Sequence, residues 1–183
     1  MENKFCKNNG LYRKLQKRKR AWAVRKSCLC PFCRREKQNF EEVMTVEYHL
    51  ERFVTAQQAH YPRALQEIKS GRKQSCWMWY VFPQIAGLGQ SETARYYAIR
   101  NMDEARAYMQ NAALRNNLIE ISKALLDVDS NDAAVVMGWP DNLKLQSSMT
   151  LFLLAEPECV VFQKVLDKFF HGEKDQKTIC SAK

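Results

Sequence analysis

No apolar run in this sequence is longer than a handful of residues. A helix that crosses a bilayer needs ~20, so no membrane span is expected. The first residues, Met1 to Lys7, are polar and lead into a basic segment rather than an apolar leader core. The expected location is therefore the cytoplasm. No stretch alternates apolar and polar residues as a half-exposed strand would. No internal repeat appears, which argues against a helical solenoid. There is no glycine motif that would cradle a phosphate, no paired-carboxylate spacing and no Ser-His-Asp order. These absences point to no cofactor. The seven cysteines follow no regular spacing and suit reduced thiols better than a disulfide framework.

What is abundant is positive charge, but only at one end. The net charge is +9 over 183 residues, and residues 1–40 hold 13 Lys and Arg against 2 Asp and Glu. The rest holds 16 against 18, so the remainder is slightly acidic. Any nucleic-acid binding would have to come from the first forty-three residues alone. There, Lys14 to Arg20 is a dense basic run. Such a run suits a phosphate backbone, and equally a solvated, disordered extension. Cys28, Cys30 and Cys33 form C-x-C-x-x-C, a weak zinc candidate. Zinc takes four ligands, and the fourth would be Cys6, His49 or a residue from elsewhere. Met44 follows Glu41-Glu42-Val43, and the purine-rich codons of the two glutamates resemble a bacterial ribosome-binding site just before a start codon. The domain boundaries expected on this basis are a basic extension over 1–43, disordered or a start-site artefact, and a helical domain over 44–180.

Within that domain the apolar period is helical. Leu50, Phe53, Val54 and Gln57 form one face, Tyr61-Pro62 interrupts, and Ala64, Leu65 and Ile68 form a second short helix that Gly71 ends. Ser91 and Asn101 read as helix N-caps. Leu114, Leu118, Ile121, Leu125 and Val128 step by four and three, the clearest stripe in the chain. Ser130 is the expected cap of a helix ended by Gly138. Pro140-Asp141 opens a longer helix, and Phe162, Val165, Leu166 and Phe169 mark the last main one. A last turn is expected near Thr178. The fold class that follows is all-α, a compact single-domain bundle of about seven short helices.

Gly71 to Ser91 stands apart. Trp77, Trp79, Tyr80 and Phe82 crowd into six positions, and Pro83 stops whatever element they form. Its period does not separate buried helix from buried strand. Here the sequence resembles the mainly bacterial family catalogued as domain of unknown function 1810, sometimes labelled calpastatin-like. The matching segments include L-E-R-F-V-T-A-Q (Leu50–Gln57), A-L-Q-E-I-K-S-G (Ala64–Gly71), K-Q-S-C-W-M-W-Y-V-F-P-Q-I-A-G-L-G-Q-S (Lys73–Ser91) and P-D-N-L-K-L-Q-S-S-M-T-L-F (Pro140–Phe152). The resemblance implies a compact helical fold and carries no known activity. At Cys76 this sequence departs from the family pattern, which typically has His before W-M-W.

The candidate ligand-binding residues are Cys76, Trp77, Trp79, Gln84, Lys144, Ser147 and Ser148. The expectation is that the two polar-rich motifs meet and line one pocket. Aromatic walls with a lysine, two serines and an amide would suit a small anionic nucleotide-like metabolite, bound or turned over. Each residue also has a plainer role. Trp77 and Trp79 suit a core, Cys76 a small buried apolar group, and Ser147 a bond to a preceding carbonyl. Lys144 and Ser148 stand one helical turn apart, as in a serine–lysine nucleophile pair or a solvated face. Catalytic residues and oligomeric state are not legible. The alternative readings are a protein-interaction module without catalysis and a nucleic-acid binder acting through the basic extension.

Overall fold

The computed structural model describes residues 48–182, and the basic extension with Cys28, Cys30 and Cys33 lies outside them. Among the described residues there are nine helices and no strand, so the domain is all-α. They are α1 (Glu51–Lys69), α2 (Met78–Val81), α3 (Glu92–Tyr96), α4 (Met102–Gln110), α5 (Ala112–Asp127), α6 (Ala133–Met137), α7 (Asp141–Ala155), α8 (Val160–Phe170) and α9 (Gln176–Ser181). The count exceeds the expected seven because single-turn helices such as α2 are too short to show a period.

Helix α7 is the centre. It packs against α4, α6, α8 and α9, and from Ser147 to Leu153 every residue is buried. A helix enclosed on all sides carries no polar face. Its buried polar residues are accordingly the small hydroxyls Ser147, Ser148 and Thr150. Around it a chain of rings runs through the core. Phe53 meets Tyr108 at 5.3 Å, Tyr108 meets Phe152 at 5.0 Å, and Phe152 meets Phe162 at 6.1 Å between centroids. Removing one such fully buried aromatic costs roughly 3–5 kcal/mol.

Helix α1 is continuous where two helices were expected. Pro62 lies inside it, on the exposed side. The carbonyl that loses its N–H partner belongs to exposed Gln58, where water can reach it. Meanwhile Phe53, Gln57, Tyr61, Ala64 and Ile68 continue one buried stripe across the proline, and α1 packs along α5. Tertiary packing outweighs the local break.

Other ends follow the expected chemistry with one exception. Ser91 and Asn101 cap α3 and α4 through bonds to the Ala94 and Glu104 amides. Helix α6 is capped by Asp132, whose carboxylate accepts from the Ala134 N–H at 2.7 Å, and not by Ser130. Ser130 instead accepts from the Asp132 N–H, positioning the cap. The end of α5 is closed from a distance. The Lys168 ammonium on α8 donates to the carbonyls of Leu125, Leu126 and Val128, using all three of its hydrogens.

Candidate functional site

The site begins with the end of α1. The Gly71 N–H bonds to Ile68 O and the Arg72 N–H to Glu67 O, a six-to-one, five-to-two closure. It requires a left-handed residue at Gly71, which has φ +80°. This closure turns the chain back on itself and brings Gln74 to Trp77 against the Glu67 side chain.

Glu67 was not among the expected site residues, yet it organises the aromatic motif. One carboxylate oxygen accepts from the Gln74 N–H (2.8 Å), the Ser75 N–H (3.0 Å) and the Trp77 indole (2.7 Å). The other accepts from Ser75 Oγ at 2.6 Å and from Arg63 Nε at 3.0 Å. Burial alone would raise its pKa. The donors from Ser75, Gln74 and Trp77 outweigh that and hold it down at about 2. Trp77 is thereby fixed in the core, and Met78–Val81 can form only one turn before Phe82-Pro83 ends it.

The two motifs meet at Asp141, the first residue of α7. Lys73 Nζ lies 2.6 Å from one of its oxygens and Lys144 Nζ 2.7 Å from the other. Both ammonium groups also stand over indoles, Lys73 at 5.2 Å from the Trp77 ring centre and Lys144 at 5.1 Å from that of Trp79. Burial raises the Asp141 pKa, but bonds from Lys144 and Lys73 and their charges win, leaving it below the ordinary carboxylate range. One carboxylate thus serves two cations, so the cluster keeps one unit of positive charge.

The other expected residues fall around this cluster unevenly. Trp79 is half-buried and Cys76 exposed, its carbonyl accepting from the Tyr80 hydroxyl at 3.1 Å. Burial, and then the neighbouring Tyr97, push the Tyr80 phenol up to about 12. Ser148 is fully buried and its Oγ has no hydrogen-bond partner among the described residues; the same holds for Asn142 Oδ1. Lys144 is bonded to Asp141 rather than to Ser148, so no serine–lysine nucleophile pair is formed. Ser147 turns toward α9. Thr178 spends its hydroxyl proton on Asp175 at 2.6 Å, so Ser147 is the donor in the 2.6 Å Ser147–Thr178 bond. Gln84 takes no part in the contacts that gather the cluster. Its carbonyl accepts from the Ile99 N–H at 2.8 Å, in the parallel bridge between Ile85 and Ile99. No group of three or more metal-ligating side chains occurs among the described residues.

Residues 47–181 match the family described as a protein of unknown function (DUF1810). The chain belongs to that family. A crystal structure of the conserved hypothetical protein Rv1873 from Mycobacterium tuberculosis is similar over 74% of this chain and 97% of that one, at 39% identity and a TM-score of 0.73. No curated protein matches the sequence. The DUF1810 match covers both motifs that meet at Asp141, while the basic extension lies outside it. Among the described residues no helix is long and apolar enough to cross a membrane.

Proposed function

We propose that this DUF1810 domain binds a small anionic, planar metabolite of the nucleotide type at the cluster of Trp79, Lys144, Lys73 and Ser148. The observation that carries the reading is the uneven charge at Asp141. Two ammonium groups share one carboxylate beside two indoles, and an anion would complete the pairing. Ser148 Oγ, without a hydrogen-bond partner among the described residues, adds a polar group on the same helix. Trp77 in this reading is the fixed wall and Trp79 the ring that meets the ligand. Gln84 and Cys76 belong to the same sequence motif but make none of the contacts that gather this cluster. Isothermal titration with a panel of nucleotides and nucleotide sugars tests it. Lys144→Met and Trp79→Ala should each weaken the best ligand about tenfold or more. Unchanged affinity in both variants would remove the cluster from the binding site.

A second reading, a protein-interaction module, draws support from a different stretch. Trp139 is 80% exposed, and Val135 and Leu143 are exposed on either side of it in sequence. Sedimentation of the full chain with and without Trp139→Ser separates the two. Concentration-dependent association lost in the variant favours interaction. Nucleic-acid binding through residues 1–43 would show instead as salt-sensitive affinity that disappears when they are deleted.

A further inference from the structure

Away from the Asp141 cluster, two grooves run between α1 and the end of α3 with the segment that follows it. One, of about 450 Å³, is walled by His60, Tyr80, Tyr96 and Tyr97. The other, of about 520 Å³, is walled by His49, Arg95 and Arg100. Glu51, Arg52 and Tyr96 belong to both, so the grooves adjoin. Their volumes lie in the range of small-molecule sites.

The floor is rigid. Arg52 donates to the carbonyls of Tyr48, His49 and Ala98 and to Glu104. Its side chain is 8% exposed, and its remaining donor, Nε–H, is buried with no acceptor among the described residues. The rim is cationic on balance, with the exposed Glu51 set among Arg52, Arg95 and Arg100. Arg52 and Arg100 share Glu104, and Arg95 is exposed with no ion pair among the described residues. The wall is aromatic. His60, Tyr80, Tyr97 and Tyr96 follow one another at 5.7, 5.3 and 4.8 Å between ring centres. Tyr96, at the end of this row, is 61% exposed.

We propose that these adjoining grooves form a second binding site, for a nucleoside monophosphate or a comparable aromatic phosphomonoester. The phosphate would lie between the guanidinium forks of Arg95 and Arg100 with His49 beside it, and the base against Tyr96. Guanidinium groups match a phosphate dianion in both shape and charge. An exposed tyrosine offers a base a stacking partner. The site does not depend on the Asp141 cluster and shares none of its residues.

The test is an amide NMR titration of the full ¹⁵N-labelled chain with AMP, and with adenosine and inorganic phosphate separately. AMP should shift the Arg95–Arg100 amides saturably, and adenosine and phosphate should each bind at least about tenfold more weakly. Tyr96→Ala and Arg95→Gln alter exposed side chains, and each should weaken AMP about tenfold with the rest of the spectrum in place. Shifts confined to residues 1–43 would overturn the proposal and assign AMP to the basic extension. Shifts confined to Trp79 and Lys144 would overturn it while supporting the Asp141 cluster. Unchanged AMP affinity in both variants, or a response to a single-stranded oligonucleotide but none to AMP, would also overturn it.

Discussion

Glu67 and Glu104 are two enclosed carboxylates at opposite ends of α1, solved by different chemistry. Glu67 is surrounded by neutral donors: two main-chain amides, a hydroxyl and an indole. Glu104 is answered by a charge, the Arg52 guanidinium at 2.6 Å, with the Arg100 amide at 2.8 Å. Each also touches one exposed arginine, Arg63 for the first and Arg100 for the second. The neutral solution fastens a loop to a helix end. The charged solution joins the start of α1 to the start of α4. A carboxylate can therefore be buried without a buried cation, provided enough donors converge on it. The two solutions should fail differently when disturbed.

The largest effect is expected at Glu104. Glu104→Ala leaves Arg52 enclosed with an unanswered charge, and should cost about 3–5 kcal/mol. A urea midpoint that falls at unchanged slope would show it; a loss below about 1 kcal/mol would mean that Arg52 is hydrated in the folded state. Glu67→Gln comes next, at about 2 kcal/mol, since the amide keeps one acceptor but sets its NH₂ against other donors. This variant also carries the pH dependence. Glu67 titrates at about 2 when folded, against 4.5 as the ordinary value. Its contribution is therefore complete above about pH 4.5 and is lost as the pH falls toward 2. Stability of the wild type should decline over that window. The Glu67→Gln profile should be flatter, and parallel profiles would show that the neutral donors do not depress this group. The smallest effect belongs to the two exposed arginines. Arg63 is 69% exposed and Arg100 is 56% exposed at the side chain. Arg63→Gln and Arg100→Gln should each cost less than about 1 kcal/mol. If Arg63→Gln cost as much as Glu67→Gln, the contrast between neutral and charged solutions would fall.

Much of the architecture was legible because it rests on local periodicity. Leu118, Ile121 and Leu125 had to share a helix face whatever they packed against, and they do. Pro62 misled because its cost depends on which side of the helix meets water, a tertiary matter. Ser130 and Asp132 are both good caps, and two residues of spacing do not choose between them. The single turn of α2 is too short for any period to register. At the candidate site, K-Q-S-C-W-M-W-Y-V-F-P-Q and D-N-L-K-L-Q-S-S were expected to meet and line one pocket from their unusual polarity, and their first halves do meet, through Lys73, Asp141 and Lys144. The pivot, Asp141, was read only as the opening of a helix. Glu67 was hidden for another reason. A glutamate on a helix is ordinarily solvated, and nothing in its neighbourhood announces that its donors come from seven to ten residues onward. Arg52, Arg95 and Arg100 were invisible in the same way, since arginine is common on surfaces and its company is set by the fold.

Lys168 holds the end of α5 with every hydrogen of its ammonium committed. An ammonium so engaged is held against the end of α5 until its three carbonyl partners let go. Its neighbour Lys164 on the same helix is exposed. Toward an acylating reagent the two lysines form a natural pair of clocks. Lys164 reads the reagent concentration, while Lys168 keeps time with the opening of the helix pair itself.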